Sequence, residues 1–219
     1  MPSRGSVERI FEEKRFSVNR LEKEFMDHTI DYYNYNAENF IENTQNVDMR
    51  PTQDKFLQLL NAGDFILDFG CGSGRDTKYF LDQGYQVTAT DGSAELCRLA
   101  SAFTGIEVKE MLFQELDEID TYDGIWACSS ILHLPKNELI LVVRKMCVAL
   151  KSTGIIYTSF KYSDFEGVRN GRYFTDFTED SFQEFIAEIP ELTIEDYWIN
   201  GDVRPGRGDE RWLNIILRK

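Results

Sequence analysis

An α/β fold is what this sequence predicts: a doubly wound, mostly parallel sheet with helices on both faces, an antiparallel last strand and a helical N-terminal cap. Three observations carry that expectation. From residue 64 onward, short apolar runs alternate with stretches whose apolar residues recur at helical spacing. A glycine-rich turn, with Gly70, Gly72 and Gly74, follows the first such run. The last two apolar runs have no helical stretch between them, so they read as a hairpin.

The elements follow in order. Val7, Ile10 and Phe11, then Val18, Leu21 and Phe25, recur at helical spacing, so the first 60 residues read as helical and polar. An aromatic, Asn-rich stretch runs from Tyr32 to Asn36, and Pro51 opens a short helix carrying Phe56, Leu57, Leu59 and Leu60. Phe65–Phe69 is a buried strand ended by glycines, and the helix after it stops at Gly84. Gln86–Asp91 is the second strand. Ser93 caps a helix with Leu96, Leu99, Ala100 and Phe103 on its apolar side. Glu107–Leu112 and Tyr122–Ser129 are the third and fourth strands. From Pro135, the positions Leu139, Val142, Val143, Met146 and Leu150 draw the clearest helical stripe in the chain. Gly154–Phe160 is the fifth strand; Thr178 caps a helix with Phe182, Phe185, Ile186 and Ile189 that stops at Pro190. Leu192–Ile199 and Arg211–Leu217 form the closing hairpin, joined by residues 200–210 with three glycines and a proline. The division expected is a cap over residues 1–60 and a nucleotide-binding domain over 61–219, forming one structural unit.

Composition bounds the partners. With 24 basic and 38 acidic side chains the net charge is −14. Such a surface repels phosphate backbones and anionic lipid, so neither nucleic acid nor membrane is an expected partner. No apolar run reaches the roughly 18 residues of a membrane span, and the charged start is unlike an export signal, so a cytoplasmic protein is expected, as monomer or homodimer. The cysteines, Cys71, Cys97, Cys128 and Cys147, form no CxxC pair, and there are two histidines, so no metal site is expected.

The chemistry gathers at the glycine loop, Asp68-Phe69-Gly70-Cys71-Gly72-Ser73-Gly74-Arg75. Alternating glycines at a strand-to-helix turn leave no Cβ between backbone and ligand, and the amides of the helix start favour an acceptor. Asp91 ends the second strand, where a carboxylate accepts from both hydroxyls of a ribose. The parts make a nucleoside site for NAD or S-adenosylmethionine (SAM). A dinucleotide loop has a third glycine where Arg75 stands, which favours SAM.

Residues 64 to 160 resemble a class I SAM-dependent methyltransferase. The run 68–74 is similar to that family's first motif, Asp91 to its ribose-binding acid, Tyr122–Ala127 to its fourth-strand motif, and Ser130–Pro135 to the stretch that follows. Arg75 and the tail 211–217 are similar to small-molecule members of the tellurite-resistance type. The resemblance implies a Rossmann-like seven-stranded sheet and a set of roles. Gly70, Gly72 and Gly74, with Asp68 and Cys71 in the same motif, would face the methionine part of the cofactor; Arg75 would pair with its carboxylate. Asp91, Gly92 and Ser93 would hold the ribose, Leu112 and Phe113 the adenine. Cys128 and Ser129 would lie near the sulfonium, and Tyr33 or Tyr35 would cover the site.

His133, just past the fourth strand, is the candidate base. The segment 161–176 reads as a loop at the active edge, offering Arg169, Arg172 and Tyr173 to a substrate; Arg204, Arg207 and Arg211 lie on a second such loop. The expected activity is methyl transfer from SAM to an O, N, S or metalloid centre of a small molecule, with S-adenosylhomocysteine (SAH) as product. Alternatives are a protein methyltransferase, a non-catalytic SAM-binding protein and an NAD-dependent oxidoreductase. An adenine or cytosine methyltransferase would carry a [DN]PP[YF] run where Ala127-Cys128-Ser129-Ser130 stands.

Overall fold

The computed structural model describes residues 28–204 and 206–219. The apolar spacing from Val7 to Phe25, and Pro205, lie outside them. The chain opens with α1 (residues 28–35), α2 (Ala37–Thr44) and α3 (Arg50–Leu57). The alternating part is β1 (Phe65–Phe69), α4 (Arg75–Asp82), β2 (Gln86–Asp91), α5 (Ala94–Thr104), β3 (Val108–Glu110), β4 (Tyr122–Ala127), α6 (Lys136–Ala149) and β5 (Leu150–Lys161). A small hairpin, β6 (Glu166–Arg169) and β7 (Arg172–Thr175), precedes α7 (Glu179–Ile186), β8 (Thr193–Gly201) and β9 (Arg211–Arg218).

Seven strands form one sheet in the order β3-β2-β1-β4-β5-β9-β8. The first five are parallel neighbours, and β9 inserts between β5 and β8, antiparallel to both. The register pairs Leu67 with Thr88 and Ile125, so adjacent strands end level and their following loops share one edge.

Period-two alternation divides the core. Leu67, Phe69, Ile125, Ala127 and Ile156 pack against Leu139, Val142, Val143 and Met146 of α6. Ile66, Trp126, Ile155 and Tyr157 pack on the other face against Phe56 of α3 and Phe80 of α4. Phe56 lies 5.9 Å from Phe80 and 5.2 Å from Trp126 between ring centroids, so the chain before residue 61 shares this core. The caps at Ser93 and Thr178 form: Ser93 Oγ accepts from Leu96 N–H at 3.2 Å, and Thr178 Oγ1 from Ser181 N–H at 3.3 Å.

Several boundaries differ from the sequence reading: β5 begins at Leu150 rather than Gly154, so Leu150 of the expected helical stripe belongs to the strand, and α7 ends at Ile186, before Ile189. β3 ends at Glu110 because Leu112 opens a 3₁₀ turn closed by the Glu115 carboxylate, which accepts its N–H at 2.7 Å. β4 ends at Ala127 because Ser129 adopts φ +53°, a left-handed conformation costing about 1–2 kcal/mol, held by its N–H donating to Ser159 Oγ at 2.9 Å. The expected loop 161–176 holds the β6–β7 hairpin. Its two turn residues, Asn170 (φ +50°) and Gly171 (φ +76°), both have positive φ, the type I′ geometry that an Asn-Gly pair favours. That dipeptide between Val168 and Tyr173 was the available signal. Among the described residues no helix is long and apolar enough to cross a membrane.

Candidate active site

Because the parallel strands end level, the loops after β1, β2, β3 and β4 converge on one cavity of about 220 Å³, roofed by α1 and α2. Asp91 stands on its wall at the end of β2. Its Oδ2 accepts from Gly72 N–H and its Oδ1 from Ser93 N–H, both at 2.9 Å. A carboxylate offers about four acceptor positions, so both oxygens retain capacity for a ligand. Burial raises the Asp91 pKa, and the backbone donors hold it down in part. Gly92, Ser93, Leu112 and Phe113 line the same end, with Ile30 from the roof. A diol donating to Asp91 and a flat apolar ring against Leu112 and Phe113 suit this wall, so the residues present fit an adenosyl group.

The glycine loop divides its tasks. At Gly70 (φ +84°) a Cβ would fall 2.5 Å from the Ser130 Cβ, so the tight approach of loop to β4 requires glycine. Gly70, Cys71 and Gly72 line the cavity, and burial drives the Cys71 thiol pKa well above its ordinary value. Gly74 serves packing instead. It is not on the cavity wall; at φ +73° it begins α4, and a Cβ there would stand 2.8 Å from Thr104 Cγ2 of α5. Asp68 also lies off the wall. It is buried below the loop, accepts from Thr77 Oγ1 at 2.5 Å, and is held in its protonated range by burial and then by Asp76.

Arg75 reaches the cavity but is already engaged. Its Nε and Nη2 donate to the two oxygens of Asp76, each at 2.8 Å. Asp76 also accepts from Gln53 Nε2 at 2.6 Å and Trp126 Nε1 at 2.9 Å. Burial alone would raise the Asp76 pKa; Arg75, Trp126 and Gln53 together bring it below the ordinary carboxylate range. The pair ties α3, α4 and β4 under the loop.

His133 and Tyr33 form the polar centre of the far half. His133 Nδ1 lies 2.6 Å from the Tyr173 carbonyl, which can only accept, so Nδ1 carries the proton. Nε2 is then the acceptor, 2.8 Å from the Tyr33 hydroxyl, which donates to it. Arg172 Nη1 donates to the same hydroxyl at 3.1 Å. Burial lowers the His133 pKa to about 3; the Tyr173 carbonyl opposes this, while Arg172, Arg169 and Lys161 add to it. The ring is therefore neutral, with its one basic nitrogen covered by Tyr33. Burial raises the Tyr33 pKa, and Arg172 offsets part of the rise. Arg172 Nε is buried with no acceptor in reach among the described residues, which costs about 1–3 kcal/mol.

Cys128 and Ser129 lie on the wall between the two halves, and burial pushes the Cys128 thiol up to about 12. Besides Asp68 and Gly74, three residues offered by the sequence lie off the cavity wall. Tyr35 is 92% exposed, because two residues along a helix turn a side chain about 200° from Tyr33. Arg169 is turned away to Asp176, which accepts from it at 2.6 and 2.8 Å. Tyr173 contributes its carbonyl to His133, while its hydroxyl donates to Glu166 at 3.1 Å outside the cavity.

Of the lining of the expected helical roof, the sequence reading names only Tyr33. Ile30, Tyr33, Phe40 and Thr44 line the cavity and Ala37 is buried beside them. Their spacing of three and four residues is a helical stripe, obscured in the sequence by the polar residues between. Asn34 pins this roof, its Oδ1 accepting from Ser93 Oγ at 2.7 Å. The β8–β9 loop supplies the opposite rim, where Asp202 accepts from Arg204 and from Trp212 Nε1.

Residues 66–154 match the family described as methyltransferase domain. The YqeM protein of Bacillus subtilis, a putative methyltransferase, is 30% identical over 111 residues, 45% of this chain and 44% of that protein. An uncharacterized methyltransferase of Staphylococcus carnosus is 24% identical over 190 residues, 80% of this chain and 91% of its own. Among solved structures, the 1,6-didemethyltoxoflavin-N1-methyltransferase of Burkholderia thailandensis, with 1,6-didemethyltoxoflavin and SAH bound, superposes with a TM-score of 0.74 at 24% identity over 90% of both chains. The chain spans less than half the length of the two curated relatives it matches at 30% identity. The fold is that of class I methyltransferases, and within it residues 66–154 match the methyltransferase-domain family.

Proposed function

We propose that this chain transfers a methyl group from SAM to a nucleophilic O, N, S or metalloid centre of a small molecule. The observation that carries the reading is Asp91: a half-buried carboxylate with unused acceptor capacity, on the wall of a cavity also lined by the glycine loop. SAM, when bound, supplies an electrophilic methyl on a sulfonium. The chain's residues bind, orient and exclude water, and alignment of this kind is worth several kcal/mol of barrier. His133 acts through Tyr33: Nε2 holds the phenolic proton, so the Tyr33 oxygen is the group that meets an acceptor proton. The α1–α2 roof favours a small acceptor over a macromolecule, and the Burkholderia structure of similar fold holds one. The narrower tellurite-type likeness gains no support, because Arg75 is bound to Asp76 and most of the strand 211–217 is core.

Titration with SAH tests the cofactor half. Wild-type protein binds it, more tightly as pH rises and Asp91 ionises; Asp91→Ala weakens binding by about tenfold or more, for lost charge-assisted hydrogen bonds. No binding to the wild type, or unchanged affinity in a folded Asp91→Ala protein, refutes the reading. Release of SAH with a panel of small acceptors then tests transfer.

A further inference from the structure

The cavity has two ends. Asp91 on β2 and the residues beside β9 are four strands apart in the sheet, about 19 Å at the usual spacing. If Asp91 anchors the nucleoside, as proposed above, the far end remains for the acceptor. There the cavity opens into a cleft, the two sharing Lys161, Arg172, Phe174 and Arg207.

The cleft carries five cations, Lys161, Arg169, Arg172, Arg207 and Arg211, against two carboxylates, Asp176 and Glu210, in a chain of net charge −14. Three of the five cations are paired within the chain, sharing the two carboxylates. Asp176 takes Arg169, and Glu210 takes Lys161 and Arg207. Arg204 beside them is taken by Asp202. Arg211 and Arg172 are in no ion pair among the described residues, and of the two only Arg172 also reaches the cavity. It lines both spaces, yet among the described residues no carboxylate pairs with it. Its Nη1 reaches Tyr33, its Nε is buried without an acceptor, and its guanidinium stacks 4.5 Å from the Tyr32 ring centroid and 5.2 Å from that of Phe174.

The hairpin sharpens the point. Its register places Arg169 directly opposite Arg172 across the turn, and like charges so placed repel. Asp176 relieves Arg169 alone. The tight Asn170-Gly171 turn and the aromatic stack therefore hold a guanidinium in place, uncompensated, next to the hydroxyl that His133 positions.

We infer that the methyl acceptor is an anion, whose carboxylate or phosphate oxygens pair with Arg172 while the rest of the molecule extends toward Tyr33 and Ser129. This rests on the methyltransferase reading for the word acceptor, but the oxyanion site is testable by itself. The acidic surface does not oppose such a ligand, because the local field at this rim is positive.

Benzoate and phenyl phosphate are titrated against wild-type protein, with neutral benzamide as the control, both with and without saturating SAH. The expected result is that at least one anion binds about tenfold or more tightly than benzamide and weakens as salt rises. Arg172→Gln loses that preference; Arg172→Lys, which keeps the charge but not the fork, retains part of it. SAH affinity stays within about twofold of wild type in both variants, whose folding is checked by thermal unfolding. Equal binding of anions and benzamide, no anion binding, or an anion preference that survives Arg172→Gln overturns the inference. So does a loss of SAH affinity in Arg172→Gln, which would assign the guanidinium to the cofactor's carboxylate. A wild-type protein that ignores SAH but binds anions through Arg172 would sink the methyltransferase reading and leave the oxyanion site standing.

Discussion

His133 allows the reasoning to be tested quantitatively through pH. Buried against Tyr33, Phe174 and the Tyr173 carbonyl, its ring titrates at about 3, while in the unfolded chain it titrates near 6.5. The folded pKa is depressed, so on acidification the unfolded state takes the proton first and stability falls. The contribution is present above about pH 6.5 and is lost as pH drops toward 3. Below pH 6.5 the slope is about 1.4 kcal/mol per pH unit, which gives a loss of ~2 kcal/mol from this one ring between about pH 7.5 and about pH 5. The assay is urea unfolding of wild type and His133→Gln at those two pH values. The substitution lowers stability at both, because Tyr33 and the Tyr173 carbonyl lose a fitted partner. The difference between the two pH values isolates titration: wild type should lose ~2 kcal/mol more than the variant, all carboxylates and His28 being common to both. Equal losses would mean that the ring titrates alike folded and unfolded, and the burial and tautomer assigned here would be wrong. The same neutrality implies that the pH profile of the proposed methyl transfer carries no His133 inflection near 6.5.

Further outcomes follow from the same geometry. Arg75→Gln should destabilise the fold by about 3–5 kcal/mol in urea unfolding, since it leaves the Asp76 carboxylate buried with its main charge partner gone. Gly74→Ala should lower stability by about 1–3 kcal/mol, from a left-handed φ and a contact with Thr104, and thermal unfolding should record this. Tyr35→Ala should change neither stability, beyond about 0.5 kcal/mol, nor SAH affinity, because the ring is 92% exposed on the outer side of the roof.

How far the sequence reached depends on whether the signal is local. The strand-to-helix glycine loop, Asp91 at a strand end, the caps at Ser93 and Thr178 and the stripe of α6 each lie within one turn or one period, and each is where it was expected. A helical cap bearing Tyr33 was expected, but the rest of its lining was not legible, because the cavity face of α1 and α2 is one residue in three or four among asparagines and acids. The β6–β7 hairpin was written in Asn170-Gly171 but masked by its charges.

Two residues that look alike in the sequence show where local reading ends. Arg169 and Arg172 are three apart in the same segment; the structure turns the first to Asp176 and leaves the second at the cavity without a carboxylate. Likewise Gly72 and Gly74 share one motif, yet the first gives its N–H to Asp91 and the second makes room for Thr104. The sequence by itself determined the strand and helix order of the main sheet, the antiparallel close and the place of the glycine loop and Asp91 at one edge. Periodicity and turn chemistry act between residues a few positions apart. Only the tertiary structure decided which charges are neutralised, which tautomer His133 holds and which glycine faces the cavity. Those depend on burial and on partners from distant elements, such as Tyr33 against His133, 100 residues away in the chain.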